Sequence, residues 1–220
     1  MRGNMKNIIL SIIIALTISI CYCNTKKNEA ISFYKSINSY VNDETLDFSE
    51  NGVKDEDLQY LQYLPDLEGI VIYDNRVTDS GIKHFRGLKK LRVLKMINTK
   101  ITDYGAKCLI TFPKLEILYF NNTQITDKSM IIVGELKKIH MLNLQGTRIS
   151  DQGLKYISNL KRLRMLDLSN TNVSDNGLKY LYSLHELRQI NLTGTKVTLK
   201  GIRALQQKLN NLGYNVEWDG

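Results

Sequence analysis

Apolar residues recur along this chain in a unit of 24 positions whose internal rhythm changes half-way, most plainly in ISDQGLKYISNL (149–160) against VSDNGLKYLYSL (173–184). Seven units align. Each opens with two apolar residues two positions apart: Leu46 and Phe48, Ile70 and Ile72, Leu94 and Met96, Leu118 and Phe120, Leu142 and Leu144, Leu166 and Leu168, Ile190 and Leu192. That spacing places both on one side of a strand. Five residues on stands a lone Val or Ile (Val53, Val77, Ile101, Ile125, Ile149, Val173, Val197). Spacings of three and four follow, as in Leu154, Ile157 and Leu160, which mark one face of a helix. A last apolar residue (Leu67, Leu91, Leu115, Ile139, Leu163, Leu187) leads into the next unit. So each unit predicts a short strand and a short helix. No such unit buries its apolar edge alone; stacking puts every strand beside the next, about 4.8 Å apart, and joins the edges into one core.

The stretch LKRLRMLDLSNTNVSDNGL (160–178) resembles a leucine-rich repeat, whose pattern is LxxLxLxxNxL. Its wording is similar to bacterial repeats of the NTxITDxGL type. The resemblance runs from Leu46 to about Leu205. It implies an α/β solenoid, a curved horseshoe segment with a parallel sheet on the concave face and short helices on the convex face. One position departs from the pattern: Asn51 and Asn75 are followed by Thr99, Thr123, Thr147, Thr171 and Thr195. An inward Thr hydrogen-bonds to neighbouring backbone, so this row is expected to be structural. Asp55, Asp79, Asp103, Asp127, Asp151 and Asp175 precede the helical stripes and are expected to cap or electrostatically favour helix starts. A metal site is not expected, because the row offers one carboxylate per unit.

Both ends read as caps over the exposed core. Phe33, Ile37, Tyr40 and Val41 stand at helical spacing in front; behind, a lengthened helix stops at Gly213 and leads to strand-like Val216 and Trp218. The expected division is a signal peptide at 1–23, a helical cap at 24–45, about seven repeats at 46–205, and a C-terminal cap at 206–220. Arg2 and Lys6 ahead of the apolar run Ile8 to Ile20 suit a secretory signal, and export follows from it. Cleavage after Cys23 would free a secreted, surface or periplasmic protein; Cys21 or Cys23 as the acylated residue would make a lipoprotein. Contact with a membrane is expected only through that signal or lipid. The formal charge of +8 drops to +6 without Arg2 and Lys6.

Chemistry is sparse in the repeats. His84, His140 and His185 fall at three different phases of the unit, Cys108 is the only thiol beyond the first 23 residues, and no phosphate loop or nucleophile motif occurs. The chain reads as non-enzymatic, with no cofactor and no metal. Surface positions alternate with the buried strand pair, and coils two to four place Val71, Tyr73, Val93, Lys95, Ile97, Ile117 and Tyr119 there, with Met141 beside them. A contiguous apolar patch with aromatic members suits a protein ligand, although parallel strands also favour these residue types. Lys89, Lys90, Lys114, Lys137, Lys138, Lys161 and Arg162 share a different phase, between helix and next strand. They predict a basic edge stripe, whose alternative partner would be an acidic glycan; nucleic acid is not expected outside the cell. Self-association through the apolar patch is the third option.

Overall fold

A computed structural model describes residues 2–36, 40–41, 44–48, 52–73, 76–209 and 215–217. Ile37, Asn51, Asn75, Gly213 and Trp218, which the sequence assigned to caps and to the Asn row, lie outside the described residues. One sheet runs through the molecule in strict chain order: β1 (Tyr40–Val41), β2 (Thr45–Phe48), β3 (Gly69–Tyr73), β4 (Val93–Ile97), β5 (Ile117–Tyr119), β6 (Met141–Asn143), β7 (Met165–Asp167), β8 (Gln189–Asn191) and β9 (Asn215–Glu217). All neighbours from β2 to β9 are parallel. Their register sets Leu46, Ile70, Leu94, Leu118, Leu142, Leu166 and Ile190 side by side. The solenoid expected from the repeat is therefore present, and the row is buried along its whole length. Each such Leu or Ile contributes roughly 1.5–3 kcal/mol through burial.

Helical segments fill the opposite side. They are 3-10 turns in the first coils (Asp55–Tyr63, Ile82–Phe85) and α-helices later, such as Asp127–Val133 and Asp151–Ile157. A helix is about 10 Å wide, whereas paired strands stand about 4.8 Å apart, so the stack bends toward its strands. That makes the open sheet face concave.

The Asp row does more than the sequence suggested, because helix capping falls to its neighbours. The N-caps are Thr102, Thr126, Ser150, Ser174 and Thr198, whose hydroxyls accept backbone N–H groups of the helix they begin. Each Asp instead reaches across to the next coil. Asp55, Asp79, Asp103, Asp127, Asp151 and Asp175 accept the backbone N–H of Thr78, Thr102, Thr126, Ser150, Ser174 and Thr198 at 2.7–2.8 Å. They also accept the hydroxyl of the same residue at 2.5–2.7 Å. Two bonds per junction thus tie each coil to the one after it, 23 residues on. At the last helix Leu199 takes the Asp position and is exposed; beyond this coil the sheet continues into β9 with no further Thr or Ser helix start among the described residues.

This ladder also explains the recurrent glycines. A Cβ on Gly153 would overlap the carboxylate oxygen of Asp127, and Gly105, Gly177 and Gly201 meet the preceding Asp in the same way. Only Ser129 breaks the row, and its hydroxyl turns the close approach into a further bond to Asp103. Burial pushes the Asp103 carboxyl up, but bonds from Ser129 and Thr126 outweigh it and leave this acid below the usual carboxylate range.

The Thr row behaves differently from coil to coil. Thr123, Thr147, Thr171 and Thr195 each donate to the carbonyl three residues earlier at 2.5–2.8 Å. Thr99 is buried, and among the described residues its hydroxyl has no partner. Its coil carries the longer strand Val93–Ile97, whereas the coils of Thr123 and Thr147 carry three-residue strands.

At the front, the helix Arg2–Ser36 lays Ala30 and Tyr34 over the first coil. Tyr34 stands edge-on to Phe48 with ring centroids 5.4 Å apart, its hydroxyl donates to the Asp57 carbonyl at 3.1 Å, and Phe33 packs on Tyr60. Tyr40 and Val41 do not extend this helix, as their spacing predicted. They form β1, antiparallel to β2, and so pair a strand edge that would otherwise present free N–H and C=O groups.

Two outcomes follow for stability. Thr147→Val should cost about 1 kcal/mol in a denaturant titration, whereas Thr99→Val should be neutral or stabilising because no bond is lost. For Asp103 the folded value lies below the unfolded one, so its contribution is complete above the ordinary carboxylate pKa and fades as pH falls through the depressed value. Melting curves of Asp103→Asn should accordingly show a shallower acid limb than those of the parent.

Candidate functional site

The sheet register gathers most of the predicted surface residues into two adjoining rows. Val71, Lys95 and Tyr119 are paired neighbours in one, and Val93, Ile117, Met141 and Met165 in the other. All seven are half-buried, as expected of side chains standing on the floor of a curved sheet. The third row, after the buried pair, is not uniform. Tyr73 is 48% exposed, but its registered neighbour Ile97 is only 7% exposed, so Ile97 is no part of an accessible patch. The cause is local. This row lies where the chain curls out of the sheet through a left-handed residue (Asn98, φ 57°), and Ile97 stands between Tyr73 and the equally buried Asn121 of the following coil.

Lys95 holds its ammonium 4.8 Å from the centre of the Tyr119 ring, a cation over an aromatic face. Burial, and then the charge of Asp167, push the Tyr119 hydroxyl above its ordinary value, so it stays a neutral donor. Past Tyr119 the same rows turn polar. Asn143 donates to Asp167 at 3.1 Å, while Asp167 also accepts the backbone N–H and hydroxyl of Ser169 at 2.9 and 2.7 Å. Here the face sinks into a shallow pocket of about 90 Å³ lined by Tyr119, Met141, Asn143, Met165, Asp167, Gln189, Asn191 and Glu217, with Leu142 and Leu166 beneath. Sequence reasoning passed over Met165, Asp167 and Glu217. Nothing in one unit marks them, because Tyr119 and Glu217 come from strands four coils apart in the stack.

The basic stripe is present but uneven. Lys89, Lys90, Lys114, Lys137, Lys138, Lys161 and Arg162 are all exposed. Lys90 pairs with Asp66 at 2.8 Å, and Lys89, Lys137 and Lys161 donate to backbone carbonyls of Thr111, Gly134 and Ser158. Beside them, Arg92 bridges Glu68 and Glu116 at 3.3 and 2.9 Å, and its hydrogen bond holds the Glu116 carboxyl below the usual range. Further along, Lys138, His140, Arg162 and Arg164 line one open hollow with Glu116 and Glu186, of which Glu186 pairs with Arg164 at 3.1 Å. Within the stripe Lys90 and Lys137 are ion-paired, the latter with Glu135 at 3.5 Å, whereas the hollow sets Lys138, Arg162 and Arg164 against two carboxylates.

Among the described residues no group of three His, Cys, Asp or Glu side chains converges as a metal site would require. Cys108 is buried, which pushes its thiol up to about 12, so it is neutral at ordinary pH and a poor nucleophile.

Comparison with known proteins agrees with the architecture. A leucine-rich repeat family profile matches residues 136–158 and 161–181. Among solved structures, an internalin (inlF) of Listeria monocytogenes is similar with a TM-score of 0.66 and 26% identity over 80% of this chain. The chain spans 47% of that internalin's length. An internalin C2 (inlC2) of the same organism gives a TM-score of 0.55 at 22% identity, covering 80% of both chains. A leucine-rich repeat protein from Leptospira interrogans gives 0.51 at 18%, covering 72% of this chain and 38% of its own. No curated protein matches the sequence. The fold is a leucine-rich-repeat solenoid with bacterial structural neighbours, and leucine-rich repeats are typically protein-interaction modules. With 245 solved chains matching, the architecture is too common to name a partner, which the surface must do.

On a heparin column, Lys138→Glu combined with Arg162→Glu is expected to lower the salt needed for elution more than Lys89→Glu combined with Lys90→Glu. Equal shifts would mean that the stripe acts as one uniform charge.

Proposed function

We propose that this chain is a non-enzymatic binding module that captures a protein ligand on the concave face, centred on Val71, Tyr73, Val93, Lys95, Ile117, Tyr119 and Met141. The observation that carries this reading is the register: residues drawn from four coils form one continuous surface that is apolar but for Lys95, and none of them belongs to the core cluster. Core packing accounts for the other sheet face and leaves this one available. A half-exposed patch with two tyrosines has the composition of an anchor site, where aromatic side chains supply most of the binding free energy.

We place the protein outside the cytoplasm, either secreted or held at the cell surface or in the periplasm. Support comes from the N-terminal helix, where Ile12, Ile13, Ile14, Leu16, Ile18 and Ile20 are 49–64% exposed and bury nothing against the solenoid. Apolar side chains with no structural use fit a targeting segment, removed by residue 23 or retained through a lipid on Cys21 or Cys23. Among the described residues no helix is long and apolar enough to cross a membrane. A second reading, adhesion to an acidic glycan, draws on the hollow at Lys138, His140, Arg162 and Arg164, where cations outnumber carboxylates.

The test replaces Tyr73, Ile117 and Tyr119 with Ser together and follows capture by a photo-reactive residue placed at Val71, using medium and envelope fractions of the native source. The parent should form one discrete adduct and the variant none, with circular dichroism and melting unchanged. An adduct of undiminished yield would reject the site.

A further inference from the structure

Within the proposed concave binding face, and resting on that reading, we infer that the pocket beyond Tyr119 is a seat for a basic side chain of the protein ligand, an arginine or a lysine. Its walls are of two kinds. Met141 and Met165 are half-exposed neighbours on one row and offer an apolar wall to an aliphatic stem. Asp167 and Glu217 bring two carboxylates to the same pocket, and among the described residues neither forms an ion pair with Lys, Arg or His.

Asp167 is held for this role. Oδ1 is engaged by the backbone and hydroxyl of Ser169, while among the described residues Oδ2 receives the amide of Asn143 alone, at 3.1 Å, and keeps accepting capacity for a cation. The chain carries thirty basic against twenty-two acidic residues, so an uncompensated pair of carboxylates here runs against its overall charge. Tyr119 adds a third element. Lys95 already lies over its ring from the preceding coil, and the pocket opens on the side of the following coils. A guanidinium paired with Asp167 stands beside the row of Met141 and Met165, with the Tyr119 ring towards one end of the pocket and Glu217 towards the other, a setting that favours arginine's planar head over a purely apolar group.

The experiment uses the full chain with 13C-methyl methionine, which gives six signals in all, and titrates it with Nα-acetyl-arginine amide. Nα-acetyl-citrulline amide, the neutral isostere, is the control. Met141 and Met165 should shift in a saturating manner with the arginine derivative and hardly with citrulline, while the fully buried Met96 and Met130 stay still. Asp167→Asn should weaken the arginine response about fivefold, the effect of one screened ion pair. Glu217→Gln, at an exposed position, provides the same test should loss of charge at Asp167 disturb its three hydrogen bonds. Equal shifts with citrulline, a response surviving both neutralisations, equal movement of Met96, or no shift at all would overturn the inference. These signals report on the pocket without the native ligand. A failed capture experiment with intact methionine shifts therefore rejects the wider reading alone, and the reverse result rejects only the pocket.

Discussion

The solenoid depends on a carboxylate in one coil accepting both an N–H and an O–H from the start of the next. A parallel ladder of three-residue strands fixes spacing on one side of the stack only. The Asp-to-Thr or Asp-to-Ser pairs fix it again near the helix starts, where short parallel bridges such as Thr102 with Gln124 and Ser150 with Asn172 run beside them. Held at both places, a coil has little freedom to slide or rotate. Core side chains then meet in register without any one of them having to specify it.

Much of this was legible in the chain, and the limits have physical causes. A period of 24 with a change of rhythm inside it identifies strand, helix and stacking, because burial on one side of each element leaves its mark locally. The role of Asp127 left no such mark. Its position before a helical stripe looks like a capping residue, and its true partner Ser150 lies 23 residues on, where only the fold brings it close. Ile97 failed for another reason: alternation along a strand predicts which face a side chain takes but not how closely neighbouring rows crowd it where the strand ends. Tyr40 and Val41 showed helical spacing, yet the bare edge of β2 drew them into a strand.

The binding face separates into parts with different physical origins. Its apolar half could be read from residue types at fixed phases. The polar pocket could not, since Asn143, Asp167 and Asn191 look like ordinary solvated positions until the register aligns them. Surface chemistry in a stack of this kind is a property of rows that cross the chain, and a row becomes visible only once its pitch is known. The same holds for the basic edge, where Lys90 is paired by Asp66 of the preceding coil and Arg92 beside it by Glu68 and Glu116 of the coils on either side.

The inter-coil ladder carries a consequence for how such a chain changes length. Because Ser150 and Ser174 present the same two donors to Asp127 and Asp151, the acceptor on one coil does not distinguish which donor follows it. Removing or duplicating one whole period joins an existing acceptor to an equivalent donor and leaves every junction complete. Adding or losing a few residues between an acceptor and its donor breaks the 23-residue spacing of that junction and leaves it incomplete. The architecture therefore lengthens and shortens in quanta, and each quantum adds or deletes one transverse line of the concave surface while leaving the others where they were.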